Sequence, residues 1–237
     1  MTIDVPAEFD AAAASYDRLV GASPGYHDNL ARSARRMRLP DEGAGLHLLD
    51  IGCGTGASTA ALQAAAPRAR ITAVDASAGM LVQARKADWP STVCFVHARA
   101  EELTEALTAA GVPGPFDGVF AAYLVRNLPD PDPVLAALRE LMAPGAPLAV
   151  HDYALDGRAR SRAIWTAVCW TVIIPAGKLS TGRATLYRYL WRSVLRFDTA
   201  GALATRLYRH GLVDIRVATM PGWERGIVHT IMGRRAA

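Results

Sequence analysis

The sequence predicts an α/β fold built on a mostly parallel, doubly wound, seven-stranded sheet. Short apolar segments alternate with helix-like segments from residue 46 onward, which is typical of βαβ units. Several of the short segments, such as HLLDI at 47–51, are apolar almost throughout, as expected for strands buried on both faces. With 237 residues, of which 51% are hydrophobic and 20% charged, the chain can bury the core of one such domain.

The central segment supplies five predicted strands with helices between them. The strands are expected at 47–51, 69–74, 93–98, 118–124 and 148–153. The helices are expected at 58–66, 77–86, 101–110 and 134–142. Ser77 and Asp132 are the predicted N-caps of the second and fourth of these helices, because a side-chain oxygen there can accept a backbone N–H.

The pattern changes after residue 155. Helices are predicted at 158–174, 180–197 and 199–210, and two strands at 212–220 and 226–232. Gly211 fits the stop that follows the last helix. We therefore expect one domain in four parts, which are an N-terminal helical cap at 1–45, a core at 46–155, a helical lid at 156–211 and closing strands at 212–237.

Composition excludes several classes of protein. The spacing of Cys53, Cys94 and Cys169 matches neither a zinc site nor a disulfide framework, so no metal is expected. The first ten residues lack the apolar segment of a signal peptide. The longest nearly uninterrupted apolar run, 163–176, is shorter than the roughly 20 residues of a membrane-spanning helix. A soluble, cytoplasmic protein is therefore expected.

The charge is unevenly distributed along the chain. The net charge is +4, but residues 1–150 carry 12 basic and 17 acidic side chains, whereas residues 151–237 carry 14 basic and 5 acidic ones. A basic C-terminal third can face nucleic acid, an anionic membrane surface or an acidic substrate, or it can be an ordinary solvated surface.

The most informative segment is LLDIGCGTG, residues 48–56. A buried strand leads directly into Gly52, Gly54 and Gly56, which lets a ligand approach the backbone and the N-terminus of the next helix. Asp75 follows at the end of the next strand, where a carboxylate can accept both hydroxyls of a ribose. Together these features predict that residues 46–155 bind a nucleoside-containing cofactor.

Details of the glycine loop favour S-adenosylmethionine over a dinucleotide. Dinucleotide sites use the spacing GxGxxG and bind a pyrophosphate, whereas the spacing here is GCGTG. Asp50, two residues before the first glycine, would repel a pyrophosphate but suits a cofactor with an ammonium group. S-adenosylmethionine carries an ammonium, a carboxylate and a sulfonium, and it has no phosphate.

On these residues the sequence resembles the class I S-adenosylmethionine-dependent methyltransferases. LLDIGCGTG is similar to their first motif, VDAS at 74–77 to their second, and the segment 116–150 to their fourth and fifth. FDAAAASYD at 9–17 resembles an N-terminal signature whose tyrosine contacts the cofactor. The resemblance implies a Rossmann-like fold and methyl transfer. It also implies that the cofactor is bound by Tyr16, Asp50, Gly52, Cys53, Gly54, Gly56, Asp75, Ala76, Met80, Ala100, Glu101, Ala121 and Ala122.

A narrower resemblance, to the ubiquinone/menaquinone biosynthesis C-methyltransferases, extends to the C-terminus. It rests on the Arg126–Asn127 pair in YLVRNL, on YRYL at 187–190 with Ser193–Val194 after it, and on GIVH at 226–229. It implies C-methylation of a prenylated, demethylmenaquinol-like quinol, with Arg126 and Asn127 as catalytic residues. An arginine side chain stays protonated in proteins, so it cannot accept a proton from the quinol. Arg126 is therefore expected to hold a water or the quinol oxygen. A surface arginine is the alternative.

Aromatic residues predict the acceptor side of the site. The expected substrate pocket consists of Tyr123, Tyr153, Trp165, Tyr187 and Tyr189, although a helical aromatic row can equally be core. The apolar run 164–174 has the bulk to contact a prenyl tail or lipid, and its basic flanks can lie against anionic headgroups. Peripheral contact with the inner face of the membrane is therefore expected, with a plain buried helix as the alternative. His151 is a candidate proton acceptor.

Two positions depart from the class pattern, and alternatives stay open. Arg99 stands where the class usually has an acidic residue for the adenine, and APGA at 143–146 replaces a Lys-Pro-Gly-Gly turn. A soluble small-molecule or natural-product acceptor is the main alternative, and a non-catalytic binding module is another. No nucleic acid partner is expected, because the basic third contains no recognisable RNA-binding module. A homodimer is compatible with the sequence.

Overall fold

The apolar runs of the sequence form one seven-stranded sheet in a computed structural model that describes residues 25–181 and 185–237. The strands are β1 (His47–Ile51), β2 (Arg70–Asp75), β3 (Val93–His97), β4 (Gly118–Ala122), β5 (Pro147–Tyr153), β6 (Leu212–Thr219) and β7 (Val228–Arg235). Their order is β3-β2-β1-β4-β5-β7-β6, with β1 to β5 parallel and β7 antiparallel to both neighbours. The predicted α/β, Rossmann-like, mostly parallel sheet is confirmed.

Helices flank both faces of the sheet, and those of residues 156–211 also pack against the closing strands. They are α1 (Tyr26–Arg36), α2 (Ala57–Ala65), α3 (Ala78–Ala84), α4 (Leu103–Ala109), α5 (Pro131–Leu141), α6 (Ala159–Val168), α7 (Ile174–Thr181), α8 (Thr185–Arg196) and α9 (Ala200–Arg209). Of the predicted N-terminal cap, only the part from residue 25 falls within the described residues. Tyr16 and the 9–17 signature lie outside them.

One of the two predicted helix caps is confirmed and the other is wrong. The Ser77 hydroxyl accepts the Met80 backbone N–H at 3.0 Å at the start of α3. For α5 the cap is Asp130, whose carboxylate accepts the Asp132 N–H at 3.1 Å. Pro131 occupies the first turn of α5, where its fixed φ is compatible with the helix and its missing N–H costs nothing. The helix therefore begins earlier than the apolar periodicity indicated.

Two apolar clusters hold the helices against opposite faces of the sheet. Leu49, Val119 and Leu148 contribute to the cluster that α4, α5 and α9 complete. Leu48, Phe120 and Ala149 contribute to the other, which includes residues of α1 and α2. Neighbouring residues such as Leu48 and Leu49 thus face opposite sides, as strand alternation requires. Burial on both faces explains why these strands are apolar throughout.

The lid region forms a third apolar cluster of its own. A helical path runs from α6 through a π-type segment, Cys169–Ile173, into α7, beyond the predicted end at residue 174. Trp165, Tyr187 and Val194 are buried there against residues of the closing strands. A Cβ at Gly177 would lie 2.2 Å from the Tyr187 ring, so only glycine permits this approach of α7 and α8. Within the described residues, no helix combines the length and apolarity needed to span a membrane.

Candidate active site

A cavity of about 420 Å³ lies beyond the carboxyl ends of the central parallel strands, where open α/β sheets bind ligands. The glycine loop after β1, the end of β2, the segment after β3 and the segment after β4 contribute to its wall. Its aromatic residues are Tyr26 on α1 and Tyr123 just beyond β4. Four adjacent chain segments therefore enclose the predicted cofactor region.

The glycine loop leaves room for a ligand at the backbone. Gly52 and Gly54 line the cavity with positive φ values of 75° and 54°. A Cβ built at Gly54 would meet no atom within 4 Å, so a side chain there would project into open space beside the loop. Gly56 starts α2 with φ 94°, and a Cβ there would lie 2.8 Å from the Trp89 ring. The loop thus fits a ligand that packs directly on the main chain.

Asp75 is fixed at the cavity wall by two backbone donors. Its Oδ2 atom accepts the Gly54 N–H at 2.7 Å, and its Oδ1 atom accepts the Ser77 N–H at 2.8 Å. These two bonds hold the carboxylate at the cavity wall, where a ribose would lie, in a geometry set before the ligand arrives.

The structure brings most of the predicted cofactor residues together. Those that line the cavity are Gly52, Cys53, Gly54, Asp75, Ala76, Met80, Ala100, Glu101 and Ala122. Asp50, Gly56 and Ala121 are not among its lining residues. Arg99 also lines the cavity and pairs loosely with Glu101, at 3.8 Å between Nε and Oε2, with both side chains substantially exposed.

Asp50 lies beneath the loop rather than at the cavity surface. Its fully buried Oδ2 atom accepts hydrogen bonds from the Ser58 and Thr59 hydroxyls, both at 2.7 Å. Among the described residues its Oδ1 atom has no partner. Burial raises the pKa of Asp50 to about 7, against the opposing effect of these hydroxyl bonds. Asp50 therefore ties β1 to the first turn of α2.

We expect this carboxyl group to make stability depend on pH. Because the folded-state pKa is raised from 3.8 to about 7, the folded chain retains a proton that the unfolded chain releases. The contribution of this carboxyl group to the free energy of unfolding should be greatest below about pH 4. It should decline as the pH rises to about 7. Urea unfolding across this range should show that decline in the parent chain and a flatter profile in Asp50→Asn. Equal slopes in both proteins would contradict the assignment.

An aromatic row extends from the cavity towards the lid. The rings of Tyr26 and Tyr123 are stacked, with centroids 5.5 Å apart and an interplanar angle of 11°. Tyr123 and Tyr153 are 5.3 Å apart, and Tyr153 and Trp165 are 4.8 Å apart. Of these, Tyr26 and Tyr123 line the cavity, whereas Trp165 is fully buried behind them. Tyr123 has φ 56°, which is rare for a bulky residue and typical of functional sites.

A buried hydrogen-bond chain begins at Tyr123. Its hydroxyl lies 3.0 Å from His151 Nε2, and His151 Nδ1 lies 2.9 Å from the Ser33 hydroxyl. Ser33 is 2.8 Å from the Thr230 hydroxyl, which accepts from Arg36 Nη1 at 2.8 Å. Burial lowers the pKa of His151 to about 3, so the imidazole is neutral near pH 7. The structure does not place His151 to take a proton from a bound acceptor, because its ring is buried and does not line the cavity.

The two predicted catalytic residues face different surroundings. The Arg126 side chain is 5% exposed, and its Nε donates to Asp152 Oδ1 at 3.3 Å while its Nη1 donates to the Ser193 hydroxyl at 2.5 Å. Arg126 is not among the cavity-lining residues. Asn127 does line the cavity, and its Nδ2 donates to the Tyr123 carbonyl at 2.8 Å. Arg126 thus connects β5 to α8, and Asn127 faces the ligand region.

Removing one partner of the Arg126–Asp152 pair should be strongly destabilising. Burial raises the pKa of Asp152, and the neighbouring Arg126 opposes that rise. Asp152→Ala would leave a nearly buried guanidinium without its counterion, a change that costs about 3–5 kcal/mol. Urea unfolding should show this loss, and the double change Arg126→Met with Asp152→Ala should be more stable than Asp152→Ala alone. A double variant less stable than the single one would contradict a paired-charge role.

The other predicted pocket residues separate into two groups. Tyr187 is buried in the lid core and Trp165 behind the aromatic row, so neither lines the cavity. The Tyr189 hydroxyl lies 3.5 Å from Asn127 Oδ1, at the boundary between the cavity and a neighbouring groove. The sequence analysis missed Tyr26, because nothing near it in the chain marks it as a ligand residue.

A buried carboxyl group near this site was also missed. Asn29 Nδ2 donates to Glu224 Oε2 across 195 positions of the chain, and burial raises the pKa of Glu224. Its charge is also felt at Tyr123, whose phenol pKa is raised chiefly by burial. No local motif predicts this pair, since it forms only when α1 packs beside the segment before β7.

Comparison with known proteins gives the family. A family model described as a methyltransferase domain matches residues 49–148. The chain is 30% identical over 212 residues to a demethylmenaquinone methyltransferase of Clavibacter sepedonicus, covering 89% of this chain and 83% of that protein. It is also 38% identical over 153 residues to an uncharacterised Synechococcus protein. That match covers 62% of this chain and 36% of the longer Synechococcus protein.

Solved structures support the same fold. The plantazolicin methyltransferase BpumL, solved with a desmethyl-plantazolicin analogue and S-adenosylhomocysteine, superposes with a TM-score of 0.67 at 13% identity, with 98% of each chain covered. The Haemonchus contortus phosphoethanolamine N-methyltransferase 2 superposes with a TM-score of 0.64 at 16% identity, covering 96% of this chain and 58% of that one. With the sequence relatives, these findings show that the chain belongs to the class I S-adenosylmethionine-dependent methyltransferases and resembles the quinone-biosynthesis members among them.

Proposed function

We propose that this protein transfers a methyl group from S-adenosylmethionine to a ring carbon of a demethylated, prenylated quinol. The observation that carries the proposal is the continuous path from the glycine-loop cavity to the aromatic row of Tyr26 and Tyr123. The name of the Clavibacter relative, a demethylmenaquinone methyltransferase, supports this choice of acceptor. The Arg126–Asn127 pair and the segment 187–190 support it independently.

The residues around the loop would hold the cofactor. Asp75 would bind the ribose hydroxyls, and Gly52 and Gly54 would let the ligand pack on the backbone. Met80, Ala100 and Glu101 would surround the nucleoside on the far side. When bound, S-adenosylmethionine supplies a methyl group that its sulfonium already activates. The protein's part is then chiefly to align the acceptor and exclude water.

The aromatic row supports a planar acceptor. Tyr26 and Tyr123 present nearly parallel faces at the cavity wall, a geometry that favours stacking of a further ring. Tyr153 and Trp165 continue the row towards the apolar lid, which a prenyl tail would contact. A soluble aromatic acceptor would use the same ring site without the lid, and it remains the second candidate because Arg99 and the altered turn at 143–146 mark a divergent relative.

The hydrogen-bond chain supports a donor role for Tyr123. Arg36 can only donate, so the Thr230 hydroxyl must accept from it and has one hydrogen to place. If that hydrogen goes to Ser33, Ser33 donates to His151 Nδ1, and Nε2–H donates to the Tyr123 oxygen. The Tyr123 hydrogen is then not used within the chain, and we infer that it is donated to a molecule bound in the cavity that Tyr123 lines.

The opposite order of donors is costlier. It would leave the hydrogen of the fully buried Thr230 hydroxyl without an acceptor among the described residues. The chain therefore favours Tyr123 as a hydrogen-bond donor to the acceptor oxygen, which gains negative charge when the quinol loses its proton and becomes the phenolate whose ring carbon attacks the methyl group. Asn127 is placed to orient the same oxygen or the cofactor, and Arg126 acts as a positioning residue through Asp152 and Ser193.

The lid supports peripheral membrane contact as part of this proposal. Trp170, Val172 and Leu179 are 48%, 58% and 88% exposed, and Lys178 lies beside them. Exposed apolar side chains with a nearby cation are typical of a helix that touches a lipid surface. Replacing the three apolar residues by serine should reduce co-sedimentation with vesicles. Unchanged co-sedimentation would remove this part of the proposal.

The proposed reaction is tested by labelled methyl incorporation. Purified protein, isotopically labelled S-adenosylmethionine and either demethylmenaquinol in vesicles or a panel of soluble phenols are incubated and examined by mass spectrometry. Label on the quinol ring supports the proposal, and label only on a soluble phenol supports the second candidate. Asp75→Ala is the control that separates enzymatic from background transfer. Absence of label on every acceptor, despite measured cofactor binding, would refute both.

A further inference from the structure

A groove beside the methyl-transfer cavity concentrates positive charge. This arginine groove, of about 720 Å³, lies between α8 and the segment after β4. Its charged lining residues are Arg126, Arg188, Arg192, Arg196, Arg206 and Asp198. Among the described lining residues Asp198 is the sole acidic one, so the wall is strongly cationic.

Two of the five arginines are neutralised within the protein. Arg126 pairs with the buried Asp152. Arg206 pairs with Asp198 at 2.6 Å and with Asp132 at 2.5 Å. The other three, Arg188, Arg192 and Arg196, are exposed, and no ion pair or hydrogen bond joins their side chains to another described residue.

These three arginines occupy one face of α8. They are spaced four residues apart, so their side chains lie one above another along the helix. Like charges at this spacing destabilise a helix, because each repels the next. The opposite face, with Tyr187 and Val194, is buried in the lid core, which holds the charged face in its orientation towards the groove. A bound anion would offset the repulsion.

The groove is continuous with the cavity. Asn127, Leu128 and Pro129 line both, so one molecule can extend from the methyl-transfer site to the row on α8. Guanidinium groups bind carboxylate and phosphate oxygens in pairs of parallel hydrogen bonds, which a single ammonium cannot do. We propose that Arg188, Arg192 and Arg196 bind an oxyanion, a phosphate or carboxylate group, beside the methyl-transfer site. Because the proposed quinol carries neither group, the oxyanion belongs to a lipid headgroup at the membrane, and a phosphate or carboxylate on a different acceptor is the other outcome that the test distinguishes.

The inference is tested by binding, without turnover. Calorimetry with inorganic pyrophosphate examines a free oxyanion, and co-sedimentation with phosphatidylglycerol vesicles, against phosphatidylcholine vesicles, examines a headgroup, both at about 0.15 M salt. The test variant is Arg188→Ala with Arg192→Ala and Arg196→Ala. The matched control removes the same charge at exposed positions outside the groove, with Arg35→Ala, Arg68→Ala and Arg70→Ala. A triple arginine-to-lysine variant keeps the charge if the alanine variant does not fold.

The expected result is at least tenfold weaker binding in the groove variant, less than twofold change in the control and intermediate binding in the lysine variant. Loss of pyrophosphate binding identifies an acceptor-borne group, and loss confined to anionic vesicles identifies a headgroup. Equal weakening by the groove and control variants, or no binding of either probe by the parent chain, would overturn the inference. Because no methyl transfer is measured, loss of the inference leaves the quinol proposal standing, whereas an acceptor-borne oxyanion would indicate an acceptor other than the quinol.

Discussion

Asp75→Ala is expected to weaken binding of S-adenosylhomocysteine by at least a hundredfold and to reduce methyl transfer to background. The carboxylate would accept hydrogen bonds from two ribose hydroxyls while the Gly54 and Ser77 N–H groups hold it in place. A hydrogen bond to a charged group contributes about 1.5–3 kcal/mol, so the loss of two accounts for this effect. Calorimetry gives the dissociation constant, and thermal unfolding without ligand shows whether the variant folds.

A ligand change separates the ribose contact from a disturbed loop. S-adenosylhomocysteine lacking its 2′-hydroxyl should bind the parent chain at least tenfold more weakly than the intact ligand does. Asp75→Ala should bind both ligands about equally, because the partner of that hydroxyl is gone. Asp75→Asn, which keeps the shape of the side chain, should discriminate between the two ligands less than the parent chain does and more than Asp75→Ala does. Equal discrimination between the ligands by the parent chain and Asp75→Ala would exclude the ribose contact.

The cofactor half of the site could be predicted because its signals are local. Gly52 and Gly54 follow β1 and Asp75 ends β2, and the carboxyl ends of neighbouring parallel strands meet at one edge of the sheet. Spacing along the chain therefore translates directly into a shared cavity. Asp50 shows the limit of this reasoning, since its position beside the glycines suggested a ligand contact, whereas its side chain is turned under the loop to Ser58 and Thr59.

The acceptor half could not be predicted in the same way because it is assembled from distant segments. In the chain from Tyr123 to Arg36, the bonds that α1 makes with β5 and β7 join residues 118 to 197 positions apart. Arg126 was expected to face the ligand, but Asp152 and Ser193 take up its donors. Residue type and motif identify such groups, whereas their partners depend on how the helices pack over the end of the sheet.

Tyr123→Phe is expected to lower kcat by roughly 10- to 150-fold while leaving the dissociation constant of S-adenosylhomocysteine within twofold. The phenylalanine keeps the ring that stacks on Tyr26 but removes the hydroxyl hydrogen that the buried chain directs to the cavity. A hydrogen bond to a charged group contributes about 1.5–3 kcal/mol, so without it the reactive phenolate is harder to form, which corresponds to that loss of rate. Steady-state kinetics with a methyl acceptor identified by labelling measures kcat and KM separately.

Thr230→Val distinguishes this role from a structural one. It removes the fully buried hydroxyl that selects the order of donors, so either order becomes possible, but Tyr123 keeps its hydroxyl and can still donate to the acceptor oxygen. We expect both variants to lower the melting temperature, because each leaves buried polar groups without a partner. Only Tyr123→Phe should lower kcat more than threefold, since only it removes the group that faces the acceptor. If both variants lowered kcat equally, Tyr123 would merely maintain the packing of α1 on the sheet.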